Sequence, residues 1–155
     1  MSHAHAAIAN ILYRYAELID AGDFDAIGEL FQHAVLESEG RATSTVGAAA
    51  IARQYHETTR RYPDTGTPKT KHVITNLLCE VDEAAGSARS RAYYTVLQAT
   101  ESLPLQPVIT GRYHSEYRCV AGEWRIVRHR FFVDQVGDLS QHLRIDLARA
   151  IQGGS

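Results

Sequence analysis

The first third of the chain repeats apolar residues at the spacing of a helix. From residue 8 onward they recur every three or four positions, which places them on one stripe of an amphipathic helix. Ala21-Gly22 follows the stripe and predicts the helix end, since glycine readily adopts the left-handed conformation found there. The apolar positions of this first predicted helix are Ile8, Ile11, Leu12, Tyr15, Leu18 and Ile19.

Two further helices are predicted before residue 63. Asp23 is suited to cap the N-terminus of a short helix whose apolar side includes Phe24 and Ile27. The segment AVLESEG, residues 34–40, predicts a short extended piece. Gly47 then precedes a third helix over residues 48–62, with Ile51 and Tyr55 on one side.

Beyond the loop PDTGTP, residues 63–68, the pattern changes to that of strands. Four segments are rich in β-branched and aromatic residues and are separated by short polar turns, which predicts four consecutive antiparallel strands joined by hairpins. Three helices followed by such a meander indicate an α+β fold. The four segments are residues 71–83, 86–100, 107–122 and 123–136, and the tail from residue 135 to 155 is expected to be a terminal helix or a loosely docked segment.

Composition narrows the class of protein. A chain of 155 residues suits one domain, and no second-domain boundary is visible. A formal net charge of −2 provides no basic surface for nucleic acid, and no apolar run is long enough for a membrane helix. The N-terminus lacks the pattern of a signal peptide, and Cys79 and Cys119 cannot form a disulfide framework, so a cytoplasmic location is expected.

Three segments together resemble the SnoaL-like branch of the NTF2-like superfamily. They are YAELIDAGDFDAIGELF at the end of the first helix, HVITN opening the first long strand, and GRYHSEYRCVAGEWRIVRHR near the end. The resemblance covers about residues 6–134. It implies a cone in which N-terminal helices pack on a strongly curved, mainly antiparallel sheet and enclose a pocket. This superfamily includes dehydratases, isomerases, polyketide cyclases and non-catalytic members, so the fold alone does not determine the activity.

The resemblance implies a catalytic pair made of Asp20 and His72, because the lyases of this branch use an aspartate and a histidine at these two positions. A carboxylate beside an imidazole holds one tautomer and stabilises the imidazolium that forms when the ring accepts a proton. Taken alone, Asp20 is also typical of a helix-end turn and His72 of a strand start. The resemblance further implies that the Tyr15 hydroxyl polarises the substrate. The alternative is that Tyr15 is an aromatic residue of the core.

Four more residues are candidates for substrate binding. Tyr55 and Tyr113 are expected as aromatic walls of the pocket. In the last strand, strict alternation separates His129 from Arg130, and a bulge would exchange the two faces. Relatives often direct a cationic residue from this strand into the pocket, so both His129 and Arg130 are retained. The alternative for these cations is a row facing solvent or another subunit.

The expected function is a small lyase or isomerase acting on a hydrophobic cyclic substrate by proton abstraction. Neither metal-ligand spacing nor a glycine-rich nucleotide loop is present in the sequence, so no metal and no cofactor are expected. The alternative is a non-catalytic ligand-binding or accessory subunit, like the small subunits of dioxygenases. Relatives often bury the broad face of such a sheet in dimers or trimers, so the resemblance implies a homodimer or homotrimer, and the apolar residues on both strand faces are consistent with it.

Overall fold

The computed structural model describes residues 2–146. These residues form three helices and six strands, and all three helices precede the four long strands in the chain. The elements are α1 (His3–Ala21), α2 (Phe24–Leu30), β1 (Val35–Ser38), β2 (Thr45–Val46), α3 (Ala48–Thr58), β3 (Thr70–Asp82), β4 (Ser87–Gln98), β5 (Gln106–Val120) and β6 (Glu123–Val136).

The first two helices form as their sequence patterns predict. Helix α1 begins at His3, where the Ser2 hydroxyl caps it by accepting a hydrogen bond from the backbone N–H of His5. It ends at Gly22, whose φ of 74° is left-handed. In α2, the Asp23 carboxylate accepts a hydrogen bond from the backbone N–H of Ala26 at 3.1 Å, which confirms the predicted cap.

Helix α3 is shorter than its sequence predicts. The chain leaves the helix after Thr58, because Thr59 adopts an extended conformation and pairs in an isolated bridge with Leu143. This bridge joins two segments that are distant in the sequence. The predicted end at residue 62 is therefore wrong, and the reason is a tertiary contact that helix periodicity cannot indicate.

The six strands form one open sheet in the order β2-β1-β6-β5-β4-β3. Strands β3 to β6 are the predicted antiparallel meander. The short strand β1 pairs parallel with β6 and antiparallel with the two-residue strand β2, which the sequence pattern did not predict. The mainly antiparallel α+β architecture is thus confirmed, with one parallel pair at the edge.

The sheet curves around the helices, and its concave face carries the core. Strand β4 alternates strictly, so every second residue from Ala88 to Gln98 is buried. Register shifts interrupt the pairing of β3 near Asn76, which has a φ of 55°, and of β6 near Val127. Such bulges bend and twist a strand, which gives the sheet the curvature of the expected cone.

The chain after β6 returns to the end of α3 and the residues that follow it. Residues 137–146 contain turns and a bridge but no helix, and the rest of the predicted tail lies outside the described residues. The Gln141 carbonyl accepts hydrogen bonds from the Tyr62 hydroxyl at 2.6 Å and from the Gln98 side-chain amide at 2.9 Å. None of the helices within residues 2–146 combines the length and apolar content needed to cross a lipid bilayer.

Candidate active site

Asp20 and His72 are in direct contact. The Nδ1 atom of the His72 ring lies 2.7 Å from one Asp20 carboxylate oxygen, and the backbone N–H of His72 donates to the other oxygen at 2.8 Å. The Thr70 hydroxyl donates a third hydrogen bond to the carboxylate at 2.8 Å. The side chains of His72 and Asp20 are only 4% and 14% exposed, so water competes little for these bonds.

Local structure places Asp20 at this point. It lies in the last turn of α1, and the backbone N–H groups of Gly22 and Asp23 close the helix by donating to the carbonyls of Ile19 and Leu18. The loop before β3 packs against the helix end, where the Arg61 guanidinium donates to the Gly22 carbonyl at 3.3 Å. A Cβ atom at position 22 would collide with the Gly66 carbonyl, so glycine permits this close approach.

The hydrogen bonds determine the charge of Asp20. Burial by itself would raise the pKa of the carboxyl, but the bonds from the His72 ring and backbone and from Thr70 outweigh burial, and the pKa is lowered. The group is therefore a carboxylate at neutral pH. An ionised carboxylate can only accept, so the Nδ1–H of His72 donates to it, and in the neutral form of the ring the free lone pair is then on Nε2. Among the described residues, no hydrogen bond engages Nε2.

An aromatic cavity of about 160 Å³ opens in front of His72. Helices α1 and α3, the concave face of the sheet and the segment after β6 all contribute to its wall. All three tyrosines expected in the pocket, Tyr15, Tyr55 and Tyr113, line it together with His72. The other lining residues are Ile19, Ser38, Glu39, Arg41, Gln54, Thr58, Thr59, Tyr94, Val96, Ile109, Phe131, Val133, His142, Leu143 and Ile145.

The Tyr15 hydroxyl is the centre of a hydrogen-bonded tyrosine group. The Tyr55 hydroxyl donates to the Tyr15 oxygen at 3.0 Å, and the Tyr113 ring packs edge-on against the Tyr15 ring with centroids 5.9 Å apart. Burial raises the pKa of Tyr15 to about 12, so the phenol keeps its proton at neutral pH. Because its oxygen already accepts the hydrogen bond from Tyr55, its own O–H is available to donate to a molecule in the cavity.

A bulge in β6 decides which residues of that strand face inward. Tyr117 pairs with Ile126 and Glu116 with Arg128, so Val127 is an extra residue and the alternation changes phase there. Both Ile126 and His129 are consequently buried. Strict alternation along the whole strand, with Ile126 and His129 on opposite faces, is therefore wrong.

His129 and Arg130 both lie outside the cavity wall. The His129 ring is fully buried behind the tyrosines, its centroid 4.8 Å from that of Tyr113, and burial lowers its pKa to about 3, so it is neutral. Arg130 projects to the convex face and pairs with Glu37 at 2.8 Å. The bulge turns Arg130 away from the cavity, and the tyrosines separate His129 from it, so the expectations that these two residues contribute to the pocket are both corrected. Neither residue supplies a cation there.

The family is shown by the sequence itself. The profile of the SnoaL-like domain family matches residues 1–130, which is most of the chain. The protein belongs to the SnoaL-like family. A search of curated proteins finds no significant match to its sequence.

Solved structures share the fold of this SnoaL-like protein at low sequence identity. An NTF2-like protein with a cystatin-like fold from Novosphingobium aromaticivorans superposes with a TM-score of 0.70 at 20% identity, covering 95% of this chain and 87% of the other. Two further proteins of that organism have TM-scores of 0.66. One, provisionally described as a scytalone dehydratase, is 18% identical and covers 87% of each chain. The other, provisionally described as an aromatic ring hydroxylase, is 24% identical and covers 88% and 94%.

Three residues that contribute to the site of the SnoaL-like protein were not predicted from its sequence. Thr70 orients the Asp20 carboxylate, Tyr94 stacks on Tyr113 with ring centroids 4.4 Å apart, and His142 lines the cavity. The alternation of β4 could have revealed Tyr94 as an inward residue. No sequence signal points to His142, because only the path of the chain after β6 brings it to the cavity. Within residues 2–146, no group of three or more acidic, histidine or cysteine side chains could hold a metal ion.

Proposed function

We propose that this SnoaL-like protein is a cofactor-independent lyase or isomerase that removes a proton from a carbon beside a carbonyl of a hydrophobic cyclic substrate. One observation carries the proposal: the partly buried Asp20 carboxylate holds the His72 ring at 2.7 Å, and no hydrogen bond within the described residues engages Nε2 of this ring in the wall of an aromatic cavity. A binding-only subunit has no need of such a pair. The provisional dehydratase name of one neighbour in fold supports the same class of reaction.

The proposed reaction begins with proton transfer to His72. Nε2 takes the proton from the carbon, and the Asp20 carboxylate stabilises the imidazolium that results. The carbonyl oxygen gains negative charge as the enolate forms, and the Tyr15 O–H donates a hydrogen bond to it. The apolar and aromatic wall excludes water, which strengthens both interactions.

The second half of the reaction depends on the substrate. Where a hydroxyl occupies the carbon next to the enolate, its C–O bond breaks, the electron pair of the enolate forms the new double bond, and the proton on His72 leaves with the hydroxyl as water. Where the substrate instead has a carbon–carbon double bond next to the enolate, His72 returns the proton to the far carbon of that double bond, and the double bond moves into conjugation with the carbonyl. His72 is restored to its neutral form in both cases, so no other reactant is required.

Hydrogen exchange tests the step that both reactions share. The protein is incubated with 1-tetralone, a bicyclic ketone, in D₂O, and deuterium at the carbon next to the carbonyl is followed by NMR. We expect exchange above the buffer rate with the wild-type protein and a loss of at least about 100-fold in His72→Gln. Exchange no faster than in buffer, or equal exchange by the wild type and this variant, would overturn the proposal.

The chain offers a matched control for this experiment. His56 and Asp25 form a second histidine–aspartate pair, with Nε2 3.1 Å from the carboxylate, but their side chains are 38% and 82% exposed and they do not line the cavity. His56→Gln should therefore catalyse exchange like the wild type.

Dehydration is then tested with 3-hydroxy-1-tetralone, whose loss of water yields 1-naphthol, a fluorescent product.

A further inference from the structure

The segment after β6 is held across the cavity by hydrogen bonds to its backbone. The Gln141 carbonyl accepts from Tyr62 and Gln98, and the His142 carbonyl accepts from the backbone N–H of Arg60 at 2.9 Å. These bonds use main-chain oxygens of the segment. The side chain of His142 is therefore left to contact the cavity.

His142 is the second imidazole in the cavity wall. Its ring centroid is 6.1 Å from that of His72, and the residue is only 4% exposed. Its Nδ1 atom is buried without a hydrogen-bond partner, and nowhere in the described part of the chain does either ring nitrogen find one. His72 differs in this respect, because Asp20 holds its Nδ1.

An unpartnered buried nitrogen is costly to the folded protein. A buried polar atom without a partner destabilises the folded protein, and a ligand oxygen that hydrogen-bonds the ring would offset that destabilisation. Burial, together with the nearby His72, lowers the pKa of His142 to about 3, so the ring is neutral and carries one N–H donor and one acceptor nitrogen. A neutral ring suits it to hydrogen bonding with an uncharged hydroxyl or carbonyl.

We propose that His142 is a ligand-binding residue that hydrogen-bonds an oxygen substituent of the cyclic substrate, so that the segment after β6 supplies part of the substrate specificity. This inference rests on the proposed function for the class of ligand, but it concerns recognition and not proton abstraction. It assigns different tasks to the two imidazoles. His72, held by a carboxylate, is the base, whereas His142, with no carboxylate partner, distinguishes oxygenated rings from plain hydrocarbons.

Binding of two probes that differ by one oxygen tests this assignment. Fluorescence titration gives the Kd of 1-naphthol and of naphthalene for the wild-type protein and for His142→Phe, which keeps a flat ring but no nitrogen. We expect His142→Phe to raise the Kd of 1-naphthol about tenfold, which is the effect of losing one neutral hydrogen bond. The Kd of naphthalene should change by less than about twofold. His142→Asn and His142→Gln place an amide near the positions of Nδ1 and Nε2, and at least one should restore selectivity.

Two controls separate recognition from docking of the segment. Tyr62→Phe removes the hydroxyl that anchors the Gln141 carbonyl without changing a cavity-lining side chain. It should affect both probes by the same factor. Should His142→Phe fail to fold, a crystal structure of the wild type with 1-naphthol decides, since the hydroxyl must lie within about 3 Å of a His142 ring nitrogen.

The outcomes are distinguishable from those of the exchange experiment. The role of His142 would be overturned if His142→Phe lost affinity for both probes equally or for neither. It would also be overturned if the wild type bound neither probe. Selective loss of 1-naphthol without any hydrogen exchange would support the role of His142 and overturn the catalytic proposal. Hydrogen exchange by the wild type together with an equal effect of His142→Phe on both probes would support the catalytic proposal and overturn the role of His142.

Discussion

The Asp20 carboxylate binds His72 twice, once through the ring at 2.7 Å and once through the backbone N–H at 2.8 Å. The two bonds have different consequences. The backbone bond ties the first residues of β3 to the end of α1, and the ring bond determines which nitrogen faces the cavity. A single side chain therefore links the packing of helix on sheet to the orientation of the proposed base.

Asp20→Asn tests the ring contact. The amide preserves the size of the side chain but cannot accept hydrogen bonds at both ends, and it cannot stabilise an imidazolium by charge. We expect α-hydrogen exchange into 1-tetralone to fall on the order of 100-fold or more, as happens when a histidine loses its orienting carboxylate. The rate is measured by NMR beside that of Asp25→Asn, which removes the carboxylate of the exposed pair with His56 and should have no effect. Unchanged exchange in Asp20→Asn would contradict the assigned role.

Gly22→Ala tests the helix end that presents Asp20. The new methyl group would meet the Gly66 carbonyl in a residue already at a φ of 74°, so the free energy of unfolding should fall by roughly 1–3 kcal/mol. Gly122 is the matched control, since its φ is 82° but no atom lies within 4 Å of a Cβ built there. Urea unfolding should show a loss near 1 kcal/mol for Gly122→Ala, from the left-handed conformation alone. Equal losses in the two variants would show that the contact with Gly66 is unimportant.

The buried His129 should make the protein unstable in acid. Its pKa is about 3 in the folded state against an ordinary value of 6.5, so between these values the unfolded chain binds more protons. The contribution of this neutral ring to the free energy of unfolding is fully present above pH 6.5. It is lost as the pH falls from 6.5 to 3, and the total loss by pH 3 is on the order of 3–5 kcal/mol. Burial lowers the pKa of His142 to about 3 as well, so it contributes in the same window.

Urea unfolding between pH 5 and 7.5 measures this dependence. Asp20 adds little there, because a lowered carboxyl pKa affects stability only at more acidic pH. His129→Gln, which can still bond the Ser115 hydroxyl, should reduce the pH dependence of the unfolding free energy by about half, because His142 still contributes. The exposed His33→Gln serves as the control and should leave it unchanged. A slope that persists in full in His129→Gln would argue against a neutral buried ring.

Arg130→Gln tests the bulge in β6. The guanidinium pairs with Glu37 on the convex face, where its side chain is 49% exposed, so the change should leave exchange into 1-tetralone unchanged and alter stability by less than about 1 kcal/mol. Activity and urea unfolding are compared with the wild type. A tenfold loss of exchange with stability intact would show that Arg130 reaches the cavity after all.

The helices and long strands were predictable because their signals are local. The stripe from Ile8 to Ile19, the Asp23 cap and the Gly22 stop each act within a few residues, and the structure confirms them. The parallel pairing of β1 with β6 was not predictable, since it joins residues some ninety positions apart and β1 has only four residues. The end of α3 was missed for a similar reason, because the bridge to Leu143 ends it.

The site was predicted in part, through the resemblance and not through the local pattern. Asp20, His72 and Tyr15 are in one place, and Tyr55 and Tyr113 line the same cavity. The residues of β6 that face the cavity could not be predicted, because apolar and cationic residues occur on both faces of this strand. Alternation cannot reveal an extra residue in such a strand, because either phase buries some apolar side chains.

The sequence by itself determined the element types, the helix ends near Gly22 and Asp23, and the alternation of β4, because backbone preference and side-chain period are properties of neighbouring residues. Only the tertiary structure decided that Asp20 meets His72 across 52 positions, that Arg130 faces outward, and that His142 enters the cavity. Those placements depend on bulges, loop paths and the docking of the last segment. They arise from the packing of the whole chain, which no local pattern encodes.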